Sequence, residues 1–216
     1  ASLAAIEKAT RDDGSVEVRI IHDGTHGVNV NRYVKVLDAG VAPVVSDIKR
    51  VLSHQRATGA PWMGLTIDAK EAHRLVQVRE QDWPLQACQV RAGGEVYLNR
   101  CGTYGVSSAA YWWGRLAAAL HRTTLHVLGN IMGPMALLFA DDWDLSASGP
   151  QFECRLLCFV LLLVSLGVPL SWKKCSGGFI YNWVGLKLNR REWSLGVSAR
   201  RAEWLDSWLD RTIKAR

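Results

Sequence analysis

The chain has 216 residues, a net charge of +6 and a pI near 9.2. Apolar residues make up 49% and charged residues 21%, which excludes intrinsic disorder and fits one domain or two closely joined subdomains. The mild positive surplus permits a polyanionic partner without requiring one, and the ten Trp are expected mostly in the core. The five Cys (Cys88, Cys101, Cys154, Cys158 and Cys175) form no CxxC pair of a zinc site. Cys154 and Cys158, four apart, read as small core residues. Reduced thiols and the lack of a secretory signal at the start point to an intracellular setting, cytoplasm or nucleus, rather than secretion. The first residue is Ala and the last residues continue a helical pattern, so a piece of a longer polyprotein is expected.

In chain order, "VEVRIIHDG" (16–24) alternates and ends in a turn signal, the pattern of a strand. "GVNVNRYVKV" follows as loop or short strand. A helix is predicted over 46–58, with Ser46 as N-cap, Gly59 as stop, and Ile48, Val51 and Leu52 on one face. "PWMGLTID" is a strand ending near Asp68, and "QACQVRAGGEVYLNR" is a hairpin turning at Gly93-Gly94. Ser107 and Ser108 are capping candidates for a helix over 107–122. "MALLFADDWDLSAS" reads as two short strands meeting at Asp141 and Asp142. The most apolar stretch, 156–170, is shorter than the ~20 residues of a spanning helix. With Gly167 and Pro169 as stop signals it reads as a buried helix, so no membrane partner is expected. A further hairpin over 178–197 and a basic amphipathic helix over 198–216 complete the chain. Strands and helices mix without strict alternation, which argues for α+β: an antiparallel sheet with helices packed on one face.

The acidic residues carry the chemistry. Asp68 ends one strand, and Asp141 and Asp142 sit where two others meet. Adjacent carboxylates repel unless a cation lies beside them. Neighbours in a regular strand point to opposite faces, so the chain must turn at this pair. If the Asp68 strand lies beside the hairpin, Asp68 and Asp141 are expected to face each other. Hard oxygen ligands of this kind suit Mg²⁺. Two such ions serve phosphoryl transfer by activating a hydroxyl and steadying a leaving oxygen. An isolated Asp-Asp is more often a solvated turn; the apolar "ALLFA" before it and the second strand-end Asp set this pair apart.

The order of segments resembles the fingers and palm of reverse transcriptases, especially those of DIRS-like and other retroelements. "TIDAKEAH" resembles the first palm motif, "TYGVSSAAYWWGRL" the Gly-containing loop and helix, and "FADD" the aromatic residue, variable residue and two Asp. "LGVPLSWKKC" resembles the following Gly-Lys motif, and "YNWVGLKL" the hairpin that grips the primer. The similarity covers residues 16–195, with the three acidic positions kept.

The resemblance implies a right-hand polymerase palm plus partial fingers. Residues 1–62 would be partial fingers and 63–195 palm, with a fingers-type hairpin inserted near 85–100. Residues 196–216 would begin a thumb or be a connecting helix. Asp68, Asp141 and Asp142 would bind two Mg²⁺ ions, with Mn²⁺ a possible substitute; Asp142 would have the weaker ligation or none. Arg19, with Arg11 or Lys8 as companion, would contact the triphosphate of an incoming dNTP. Lys173 or Lys174 would approach the pyrophosphate leaving group, and only one of two adjacent Lys can point into a site. Gly105 and Ser107 would line the nucleotide pocket. Val184 and Gly185 would hold a DNA primer on an RNA template.

On the residues alone, Arg19 suits a solvated strand face equally well, Gly105 suits a plain turn, and Trp112 and Trp113 suit packing better than base stacking. The chain also departs from the family. His73 stands where a Tyr or Phe usually blocks the ribose 2′-hydroxyl, so weaker sugar discrimination is expected. Ala110 and Thr103 replace common Pro residues. The alternatives are an RNA-directed RNA polymerase, a catalytically silent domain that still binds template–primer, and a non-polymerase metal-binding domain.

Overall fold

The computed structural model describes residues 2–10, 13–26, 29–38 and 40–214. Its strands and helices run β1 (Ser2–Thr10), β2 (Val16–Asp23), α1 (Val45–Ala57), β3 (Trp62–Asp68), β4 (Ala87–Gln89), β5 (Val96–Leu98), α2 (Ser107–Met132), β6 (Met135–Phe139), β7 (Asp142–Ser148), α3 (Phe152–Ser165), β8 (Ser176–Gly178), β9 (Ile180–Trp183), β10 (Leu186–Asn189), β11 (Ser194–Val197) and α4 (Ala199–Lys214). Short 3₁₀ turns lie between them, among them Ala72–Leu75 and Trp172–Lys174. The chain is α+β, and every ladder between the named strands is antiparallel.

Two compact units divide the chain, Ala1–Val41 with Glu71–Ala117, and Ala42–Lys70 with Ala118–Arg216. The first contains the β1–β2 hairpin, bulged between Glu7 and Ala9, and the β4–β5 hairpin. β1 is an element the sequence patterns did not reveal.

The second unit is built on a four-stranded sheet in the order β6-β7-β3-β8. Its central strand β7, "DWDLSAS", is covered on both faces. Trp143, Leu145 and Ala147 face the way of Ile67 and Leu65, their partners in register, and all but the half-buried Leu65 are nearly inaccessible. α3 covers that face with Leu156, Phe159, Val160 and Leu163, each worth roughly 1.5–3 kcal/mol relative to exposure. His121 of α2 packs edge-on against Phe159.

The opposite face presents Asp142, Asp144 and Ser146, and it receives the three-stranded sheet β11-β10-β9 together with α1. Ile48 and Leu52 of α1 form a core there with Tyr181, Trp183 and Leu188. Gly64 in β3 makes the close approach possible, because a Cβ at that position would strike the Tyr181 ring and hydroxyl. Full burial pushes the Asp144 carboxyl above its usual range, while Arg190 and Tyr181 pull it back.

Several local expectations need correction. α1 takes Val44 as its N-cap, with the Asp47 carboxylate accepting from the Val44 amide at 2.9 Å, so Ser46 lies inside the helix. The apolar stretch predicted as a buried helix is covered on one side only: Leu157, Leu161 and Val164 recur at helical spacing on its exposed side. Cys154 is exposed and Cys158 half-buried, so neither is a core residue. Of the ten Trp, only Trp62, Trp113, Trp143 and Trp183 are buried. Adjacent residues on a helix point about 100° apart, so Trp113 turns inward while Trp112 stays exposed. All of α4 is exposed, including Trp204, Leu205, Trp208 and Leu209. No helix among the described residues is long and apolar enough to cross a membrane.

Candidate active site

The acidic residues lie in the second unit. β3 and β7 pair so that Asp68 stands directly opposite Asp142, two places along from the Thr66–Asp144 pair. The sequence reading put Asp68 opposite Asp141, and the ladder corrects it by one residue. Phe139 pairs with Asp142, so Ala140 and Asp141 form a two-residue hairpin turn. Ala140 takes a left-handed conformation, φ 53°, of the kind such tight turns require. The turn resolves the clash of directions between neighbouring acids: Asp142 points with its strand, while Asp141 belongs to the loop. The Asp141 carbonyl accepts from the Ala69 amide at 2.9 Å, which ties the turn to the end of β3.

The loop after α3 is zipped to the same strand end. Lys70 donates its amide to Pro169 (2.8 Å), and Ser171 donates to the Asp68 carbonyl (2.8 Å). This brings the Trp172–Lys174 turn beside the acids. The Lys174 ammonium donates to both carboxylate oxygens of Asp68, at 2.8 and 2.9 Å. Lys173 is exposed and makes no ion pair among the described residues. Of the two predicted Lys, only Lys174 joins the acids.

The electrostatics follow from this crowding. Burial, then the charges of Asp141 and Asp68, push the Asp142 carboxyl up to about 7. In its protonated form it donates a hydrogen bond to Asp68, and the Lys174 charge pulls the other way. Burial alone would lower the Lys174 ammonium, but its bonds to Asp68 and the three acidic charges raise it above its ordinary value.

The group is an excess of negative charge that one ammonium only partly offsets. The carboxylate oxygens of Asp68, Asp141 and Asp142 are hard donors of the kind that suit a hard divalent cation. Among the described residues, no three His, Cys, Asp or Glu side chains are placed to hold a metal ion together as the chain stands.

The remaining predicted residues, apart from the Val184–Gly185 turn, lie in the first unit. Arg19 is half-buried on β2, and its guanidinium lies over the Tyr104 ring, 4.7 Å from the centroid. The His73 ring meets the same Tyr104 edge-on at 5.1 Å. Tyr104 therefore joins two residues that the sequence singled out separately, and was itself missed.

Gly105 has φ 94°, and a Cβ there would strike the His22 carbonyl oxygen, so the position requires glycine. Asn31 clamps this loop. Its amide donates to the Gly105 carbonyl at 2.8 Å, and its side-chain oxygen accepts from the Ser107 amide and hydroxyl at 2.9 and 3.1 Å. The start of α2 is thus capped by a residue far away in sequence rather than by Ser107 or Ser108. Arg11 lies outside the described residues.

Val184 and Gly185 form the two-residue turn between β9 and β10, both with positive φ (48° and 75°). The Gly185 carbonyl accepts from Ser198 at 3.1 Å. A Cβ on Gly185 would meet the Arg201 guanidinium, so α4 begins directly against this turn.

No family model matches the sequence, and no curated protein matches it. Solved structures do share the fold. The foamy viral protease–reverse transcriptase in complex with an RNA/DNA hybrid is similar with a TM-score of 0.64, at 14% identity, over 91% of this chain and 25% of that one. A foamy viral protease–reverse transcriptase in complex with double-stranded DNA gives 0.63 at 14% identity, over 91% and 32%. Telomerase from Candida albicans, with a fragment of telomeric RNA, gives 0.51 at 13% identity, over 73% and 34%. The chain spans about a quarter to a third of the length of these neighbours. At such identities the likeness is one of fold: this is the fold of nucleic-acid polymerases of the reverse transcriptase and telomerase type, in part.

Proposed function

We propose that this chain carries the fingers and palm of an RNA-directed DNA polymerase from a retroelement, DIRS-like or related, within a longer polyprotein. It would add dNTPs to a DNA primer on an RNA template inside the cell. The observation that carries the reading is the pairing of Asp68 with Asp142 beside the Asp141 turn, under the Lys174 ammonium, in a polymerase fold. The order of the motifs along the chain supports the retroelement assignment.

Asp68, Asp141 and Asp142 would hold two Mg²⁺ ions, or Mn²⁺. When bound, these ions make a primer 3′-hydroxyl acidic and offset the charge of the triphosphate. Asp142, its carboxyl pushed up to about 7, gives up its proton near neutral pH. The Lys174 ammonium, beside the acids, would offset charge on the departing pyrophosphate and supply a proton to it. The Arg19 guanidinium, which lies over the Tyr104 ring, would offer its fork to the phosphate oxygens of the nucleotide. Gly105 and Ser107 would contribute to nucleotide binding, His73 to sugar selection, and the Val184–Gly185 turn to holding the primer end.

Primer extension on an RNA template with Mg²⁺ tests the proposal, comparing the parent with Asp141→Asn and Asp142→Asn. The parent is expected to extend and both variants to lose extension. A domain that binds template–primer in a salt-sensitive way without extending it would mark a silent relic. The preference for deoxy- over ribonucleotides separates DNA from RNA synthesis. His73→Ala should change that ratio, and an unchanged ratio removes His73 from sugar selection.

A further inference from the structure

A buried polar network lies on the Asp142 face of β7 and has no part in the roles given above. Asp144 follows Asp142 by two residues, so both point to the same face of the strand. The Arg190 guanidinium, from the turn after β10, donates to both Asp144 oxygens at 3.0 and 3.3 Å. Its Nε donates to the Tyr181 hydroxyl at 3.0 Å, and its Nη1 donates to the Gln55 side-chain oxygen. Tyr181 in turn donates to Asp144, and the Gln55 amide donates to the Ser146 hydroxyl at 2.8 Å. Gln55, Asp144, Ser146 and Arg190 are each at most 2% exposed, and Tyr181 is 4% exposed.

The network joins α1, the strand that begins with Asp142, and both ends of the β9–β10 hairpin. Apolar contacts can slide, whereas a guanidinium whose three nitrogens go separately to Asp144, Tyr181 and Gln55 accepts one register. Replacing a buried ion pair with apolar side chains of similar volume is often neutral or stabilising. A fully buried network of this kind therefore calls for a reason other than stability. The two things it connects are the carboxylate strand and the hairpin whose tip is Val184–Gly185.

We propose that Asp144, Arg190, Tyr181 and Gln55 form a register pin: they are positioning residues that fix the Val184–Gly185 turn relative to Asp142, and so the primer terminus relative to the reacting phosphate. This inference rests on the polymerase reading for its consequence, though not for its geometry. The pin touches no substrate and acts through the turn.

The test uses Tyr181→Phe, the double variant D144L/R190M and the fully apolar set Q55M/D144L/Y181F/R190M. Thermal melting, amide hydrogen exchange, template–primer binding and steady-state extension are measured on each. The apolar set is expected to melt within a few degrees of the parent and to bind duplex equally well. Its Leu186 and Ser198 amides, which flank the turn, should exchange about tenfold faster, while those of α3 are unchanged. Its kcat should fall by up to about 10²-fold, the scale for a misplacement of about 1 Å, with KM for the duplex little changed.

Two results would overturn the inference. One is a well-folded apolar set with parental kcat and parental exchange at the turn. The other is collapse of folding in every variant, which would make the network a stability element only. A parent that does not extend defeats the polymerase reading instead, and the exchange data then decide the register claim alone.

Discussion

Asp142 shows how much a single side chain can reveal of a site. Its carboxyl releases a proton at about 7 in the folded chain, against 3.8 in the unfolded one. Between those values the native state binds the extra proton, so stability is greatest at the acid end and falls as pH rises toward 7. In metal-free buffer the midpoint of urea unfolding should fall between pH 5 and pH 8 in the parent, and Asp142→Asn should flatten that dependence. Mg²⁺ should restore stability at pH 8 by binding the ionised form. Lys174→Met removes the charge that holds Asp142 down, so the Asp142 titration followed by NMR should move higher still. An unchanged titration would show that the two groups do not share a site.

Elements explain why such residues meet. The loop between Gly105 and Ser107 is held by one side chain, Asn31, and one missing Cβ. Gly105→Ala should cost roughly 1–3 kcal/mol for the left-handed backbone alone, with the clash against His22 added. Asn31→Ala should cost about 0.5–2 kcal/mol, the range for losing a helix cap. Both are read from equilibrium denaturation, and a loss confined to the ordinary surface range of about 0.5 kcal/mol would show the clamp to be incidental. The β6–β7 hairpin was legible because "MALLFADDWDL" alternates apolar runs with a polar turn. Its register was not, because a two-residue turn can be placed one step either way on a sequence with two adjacent Asp. Asp144 escaped notice for a related reason. On an alternating strand a polar residue implies water, yet here a second sheet covers that face.

For the whole molecule, the fold class and the order of strands and helices along most of the chain could be read from periodicity and turn residues. What could not be read was long-range pairing. Arg190 reaches Asp144 and Gln55 across 46 and 135 residues, and nothing local marks those partners. The exposed Trp residues were misjudged because composition records how many there are and not which way each helix turns them. Charge bears on partners at this scale as well. If the net charge of +6 serves a nucleic-acid duplex, affinity should fall at least about tenfold between 50 and 200 mM salt, the loss expected from releasing counterions at two or three phosphates. A salt-independent affinity in a filter-binding titration would rule out phosphate contacts as the main attraction.

The four-stranded sheet has two margins of very different character. β8 is a three-residue strand, Ser176–Gly178, too short and too rich in glycine to recruit a stranger. β6, "MALLF", pairs on one side only within its sheet, and it is apolar, uncharged and free of proline. Segments of that composition seed fibrils when chains are crowded and incompletely folded. Preparation of this protein should therefore be sensitive to concentration during refolding. A Lys at Phe139, the exposed end of that strand, is the substitution best placed to keep it in solution.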